Sequence, residues 1–194
     1  MSAFKTVWRV LVVSATKQAH ELVTGLLPPG SFSPIVHVTS AGEAKRLLLA
    51  TGFDLAVINA PLPDESGVEL ARELSGRNMG VLLLCRSDVY EMASYALEED
   101  GVMTLPRPVT KQELYVSIRL LCAMCAKLAR MEKQNRTLQE KMADIRAVNR
   151  AKWLLIEHLG MSEKDAHYHI EKQAMDMRLS RREVAENIVR TYDK

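Results

Sequence analysis

The sequence predicts an α/β domain with a parallel sheet over residues 1–110, a long coiled-coil helix over 111–148, and a three-helix domain over 149–194. Three observations predict this. Short apolar runs alternate with helical patterns through the first part, which builds a parallel sheet covered on both faces. No glycine or proline stands between Val109 and Leu159, so one uninterrupted helix fits there. Beyond it, Gly160, Ser162 and Ser180 punctuate the tail into short helices.

In chain order, residues 7–13 (VWRVLVV) read as the first strand. The N-terminal stretch MSAFKTVWRVLVV has no small-residue cleavage site, so it is not read as a signal peptide. Residues 54–58 (DLAVI) and 81–85 (VLLLC) are short apolar runs bounded by turn residues, the pattern of strands buried on both faces. Val36–Val38 reads as a short second strand and Val102–Leu105 as a fifth. Helical periodicity covers residues 16–27, 41–51, 66–75 and 88–98. In open parallel sheets, sites lie beyond the carboxyl ends of the strands, so residues following each strand are the ones to inspect.

The long segment carries a heptad pattern. Leu114, Leu121, Leu128, Asn135, Met142 and Asn149 recur every seven residues. Met124, Met131, Leu138 and Ile145 fill the second apolar position, with Ser117 before them. The first two turns fit equally well a helix lying on the sheet. A helix of about 40 residues outruns a small domain, so the later turns point to self-association, with the dimerisation seam at Leu114, Leu121, Met124, Leu128, Met131, Asn135, Leu138, Met142 and Ile145. Asn135 at a seam position fits a parallel dimer, in which paired asparagines fix register.

Composition excludes several classes. Hydrophobic residues make up 47% of the 194, enough for a core, and no run of eighteen apolar residues suggests a membrane span. Cys85, Cys122 and Cys125 lie in apolar surroundings with no second ligand pair, so free thiols in a cytoplasmic protein are expected. The net charge is +2, but residues 1–110 carry 9 basic and 12 acidic side chains while residues 111–194 carry 17 and 12. The C-terminal part is therefore the one suited to an anionic partner. His167 and His169 point different ways on a helix, and with His158 they make no metal cage; no metal, cofactor or nucleophile–base pair is expected.

The stretches FDLAVINAPLPDESGVEL (53–70), LLLCRSD (82–88) and GVMTLPRPV (101–109) resemble a response-regulator receiver, a flavodoxin-like fold, over roughly residues 5–122. The resemblance implies an acidic pair after the first strand to hold magnesium and an aspartate after the third to accept phosphate. It further implies a Ser/Thr after the fourth strand and a lysine after the fifth. Ser14 and Ala15, Asn59, Cys85 and Arg107 stand at those places. Magnesium needs hard anionic oxygens, and an amide is a poor nucleophile beside a carboxylate. A degenerate receiver that takes no phosphoryl group is expected, with a docking or dimerisation role or an anion or small-ligand pocket around Asn59, Cys85 and Arg107.

Ala151-Lys152, the junction Leu159-Gly160-Met161-Ser162-Glu163, Ala166, Ala174-Met175 and Val184-Ala185 resemble the ANTAR domain, the RNA-binding output module of transcription antiterminators, over residues 146–189. Trp153 and His167 depart from its usual pattern. Helical spacing places Leu155, Leu159, Ala166, Ile170, Ala174, Val184 and Ile188 in one core. Outward remain Arg150, Lys152, Lys172, Arg178, Arg181 and Arg182, with Trp153, His167 and Tyr168 among them, a surface suited to phosphate contact and base stacking; Met175 joins them through the motif. Lys152, Lys172 and Arg178 are the leading cations. The resemblance implies RNA hairpins in leader transcripts as partner, bound by a homodimer, with a regulatory protein or small ligand acting on the receiver-like half. The rival readings are a structural interaction protein of a signalling complex and a DNA-binding regulator, in which Arg181 and Arg182 would open a recognition helix.

Overall fold

The computed structural model describes residues 7–192; the first six residues of the predicted N-terminal segment and the last two of the predicted third domain lie outside them. The chain forms two compact units, Met1–Ala129 and Arg130–Lys194, which divide inside the long helix.

The first unit is a five-stranded parallel sheet of order β2-β1-β3-β4-β5, from β1 (Trp8–Ser14), β2 (Phe32–Val38), β3 (Leu55–Asn59), β4 (Gly80–Arg86) and β5 (Met103–Arg107). Helices α1 (Lys17–Leu26), α2 (Ala41–Ala50), α3 (Val68–Ser75) and α4 (Tyr90–Ala96) connect them. Successive strand residues serve opposite faces. Leu11, Val13, Ala56, Ile58, Val81 and Leu83 join residues of α2, α3 and α4 in one core. Val10, Val12, Leu55, Val57, Leu82 and Leu84 join Val23, Leu27 and Phe32 in the other, together with the start of α5 (Lys111–Leu159). Both faces are covered, so the flavodoxin-like reading holds.

Two differences have physical causes. β2 begins at Phe32, not Val36. Pro34 interrupts its apolar pattern, and the strand tolerates it because it lies at the sheet's edge. Leu114 and Leu121 are not free to form an intermolecular seam. With Ile118 and Cys122 they are buried against the sheet, since a helix face next to an apolar sheet buries there first. Of the expected seam, the exposed positions start at Met124 and continue through Leu128, Met131, Leu138, Met142 and Ile145.

The second unit packs the last part of α5 with α6 (Glu163–Met177) and α7 (Arg181–Tyr192). Gly160 takes a φ of 65° and releases the chain from α5. Ser162 then caps α6, its Oγ accepting from the Asp165 N–H at 3.2 Å. Ser180 and Glu183 make a reciprocal capping box at α7: Ser180 N–H donates to Oε2 of Glu183, and Glu183 N–H to Oγ of Ser180. Ala151, Leu155, Ala166, Ile170, Ala174, Val184, Ala185 and Ile188 form the shared core. Leu159, expected there, is the last residue of α5 and is 47% exposed. No helix among the described residues is long and apolar enough to cross a membrane.

Candidate nucleic-acid interface and the strand-end cluster

At the carboxyl edge of the sheet, Ser14 ends β1 and Asn59 ends β3, paired in register. Asn59 Nδ2 donates to Ser14 Oγ at 3.1 Å, and that oxygen also accepts from the Thr16 N–H at 3.2 Å. His37 on β2 sits 2.9 Å from the Ser14 carbonyl through Nε2. Arg107, ending β5, donates through Nη2 to the Ala60 carbonyl at 2.6 Å, and its buried Nε has no partner among the described residues. Cys85 is buried on β4, its Sγ 3.9 Å from the Leu105 carbonyl. Burial pushes its thiol up, against the opposing pull of the Arg107 charge. The positions named from the sequence thus stand together at strand ends, except that Ala15 is exposed. Ser14 and Asn59 satisfy each other by hydrogen bonding and present no carboxylate.

A neighbouring cavity of about 490 Å³ is lined by Ala60, Pro61, Val68, Leu83, Cys85, Val89, Met92 and Ala93, and also by Glu69 and Arg86. It includes Cys85, whereas neither Asn59 nor Arg107 lines it. Among the described residues no group of three or more His, Cys, Asp or Glu is placed to hold a metal ion.

In the second unit a cleft of about 900 Å³ is lined by Lys152, His167, Met175, Arg181 and Arg182, all named from the sequence. Ile145, Val148, Ala174 and Leu179 add apolar surface; Asp144, Asn149, Glu171 and Ser180 add polar groups. The Ala151-Lys152 step explains itself here. Neighbours on a helix point about 100° apart, so Ala151 enters the core while Lys152 reaches the cleft. Ala174 and Met175 divide in the same way, Met175 being 77% exposed.

The cleft's cations are held by carboxylates. Lys152 Nζ lies 3.1 Å from Glu163, Arg181 Nη1 3.2 Å from Glu171, and Arg182 Nη1 3.1 Å from Asp144 with its Nε 2.7 Å from Glu186. His167 Nε2 is 3.4 Å from the same Glu171 oxygen. Lys152 is half-buried, while the pairs of Arg181, Arg182 and His167 are exposed and contribute little to stability. Arg150, Trp153, Lys172 and Arg178 are exposed and lie outside the cleft lining, so of the three leading cations only Lys152 is in it. Sequence reasoning missed Asp144 and Glu171. The four-residue step from His167 to Glu171 is the one signal that pointed to the latter; Asp144 meets Arg182 only through tertiary structure.

The family model for the ANTAR domain matches residues 136–189, a span that contains the whole cleft. The first unit is similar to a response regulator receiver domain protein from Clostridium thermocellum, with a TM-score of 0.54 at 22% identity over 62% of this chain and 98% of that one. It is also similar to the signal receiver domain of an HD domain-containing protein from Pseudomonas fluorescens, with a TM-score of 0.58 at 19% identity over 67% and 97%. The chain thus carries a receiver fold followed by a segment that matches the ANTAR domain. Among curated proteins it is similar to the transcriptional regulatory protein PdtaR of Mycobacterium tuberculosis, 27% identical over 150 residues, covering 77% of this chain and 73% of the relative.

Proposed function

We propose that this chain is an RNA-binding transcription antitermination regulator of the cytoplasm. It binds hairpins in leader transcripts through its ANTAR unit, as a homodimer. The observation that carries the reading is the cleft within the ANTAR match, where Lys152, His167, Arg181 and Arg182 converge beside apolar surface. Cations supply phosphate contact, and apolar surface suits unstacked bases, as recognition of RNA loops requires. The exposed stripe from Met124 to Ile145 supports the dimer, and two linked sites gain affinity by effective concentration. The receiver-fold unit takes no phosphoryl group in this reading, because its strand ends carry Ser14, Asn59 and Cys85 in place of acids and a hydroxyl. A protein partner or a small ligand in the cavity beside Cys85 is the input. The protein binds and does no chemistry.

The test compares hairpin RNA, unstructured RNA of equal length and duplex DNA. Replacing Lys152, Arg181 and Arg182 together with Ala cuts hairpin affinity at least tenfold, or about 1.4 kcal/mol, and leaves helical content unchanged. Equal binding by the triple variant would put the interface on another face. A preference for duplex DNA makes the protein a DNA-binding regulator, and indifference to all three leaves an interaction protein.

A further inference from the structure

Small side chains open the cavity of about 490 Å³ beside Cys85. Its walls come from β4, the turn after β3, α3 and α4, and they include Ala60, Pro61, Ala93 and Ala96. Ala60 and Ala93 are buried, yet the larger residues around them leave this space unfilled. Met92 on the same wall is 71% exposed, so a large apolar side chain stands against water. Cavities of roughly 300–1,000 Å³ lined mainly by apolar groups take small molecules. We propose that this cavity binds a neutral, largely apolar small molecule that offers one hydrogen-bond acceptor to Ser66. This rests on the reading above, in which a small ligand here is an input, and names the class of that ligand.

Both charged lining residues already have partners. Arg72 Nη1 donates to Glu69 Oε1 at 2.8 Å, and Arg86 Nη2 donates to Asp88. An ionic ligand would leave water without meeting a free counter-charge, a costly transfer. Asn59 and Arg107, the polar groups of the strand-end cluster, do not line the cavity, so an anion gains nothing from them. Burial pushes the Cys85 thiol up; it stays protonated and offers soft contact surface, not a nucleophile. Ser66 is different. Its Oγ accepts from the Val68 N–H at 3.3 Å, and a hydroxyl also carries one donor. That proton is what the wall offers to an acceptor on the ligand.

The full chain is dialysed to equilibrium against 2-naphthamide and, separately, against 2-naphthoate, which share a ring system and differ in charge. The amide is expected to bind saturably, one molecule per chain, and the carboxylate about tenfold more weakly or not at all. Ala96→Phe sends a large ring into the cavity from an exposed helical position. It is expected to weaken amide binding about tenfold with unchanged helical content; Val68→Phe serves if that variant folds poorly. Ser66→Ala removes the donor and is expected to weaken the amide about fivefold. The proposal is overturned by a lack of saturable binding, by amide binding indifferent to the Phe variant or to Ser66→Ala, or by a carboxylate held as tightly as the amide. No RNA is present, so these outcomes stand apart from the RNA-binding reading. If the amide is held in the cavity and saturation leaves hairpin affinity unchanged, the site is supported and only its role as an input falls.

Discussion

Ser14 Oγ, fully buried, serves two donors at once, the Asn59 amide and the Thr16 N–H. Ser14→Ala leaves both without that acceptor, and an unmet buried group costs about 1–3 kcal/mol. Urea unfolding of the full chain is expected to show a loss in that range. The same pair governs the phosphorylation chemistry. Incubation with a small phosphodonor and magnesium is expected to leave the intact mass unchanged, for wild type and for Asn59→Asp alike. The single exchange supplies a nucleophile but no acidic pair, since Ser14 and Ala15 still stand where the metal would need carboxylates. A gain of one phosphoryl group on the wild-type chain would overturn the degenerate-receiver proposal.

Among the elements, the entry to α3 depends on one backbone position. Gly67 caps that helix at a φ of 90°, and a Cβ there would lie 3.1 Å from the Ala60 Cβ. Gly67→Ala pays for left-handed backbone, about 1–2 kcal/mol, and the close approach adds to it, so the thermal midpoint is expected to fall. Along α5, charge acts differently by position. Glu at both Leu128 and Leu138, where the stripe is open, is expected to leave the fold intact and turn the proposed dimer into monomers, read by light scattering. Leu114→Glu places an unpaired charge in the sheet core and is expected to unfold the first unit instead. A wild-type chain that is monomeric at tens of micromolar removes the coiled-coil reading.

For the molecule as a whole, pH and salt act through carboxylates and cations distributed over both units. Backbone N–H groups of Gly42 and Ala41 hold Asp64 below the usual carboxylate range. Glu183 is held low by the Ser180 N–H and hydroxyl, and Glu73 by Lys45. A carboxyl whose folded pKa is depressed stabilises the fold above its unfolded value of about 4, and that contribution is lost as pH falls through the folded value. Stability is therefore expected to decline below about pH 4, and Asp64→Asn to flatten the decline in a denaturation series. RNA affinity is expected to fall as salt rises, with the slope shrinking by about one for each phosphate contact removed at Lys152, Arg181 or Arg182.

The sequence by itself determined the α/β order of the first unit and the three helices of the second, because strands buried on both faces read as unbroken apolar runs and helix ends carry their own caps. It also marked Ser14, Asn59, Cys85 and Arg107, since residues after each strand must gather at one sheet edge in a parallel fold. Periodicity shows that a helix has an apolar face but not what covers it. Only the tertiary structure decided that Leu114 and Leu121 meet the sheet while Leu128 and Leu138 stay open. A basic patch is equally blind to its own neutralisation. Lys152, Arg181 and Arg182 stood out as charges in the chain, and packing three helices together brought Glu163, Glu171 and Asp144 beside them. Those contacts join residues far apart in sequence, and no local pattern records them.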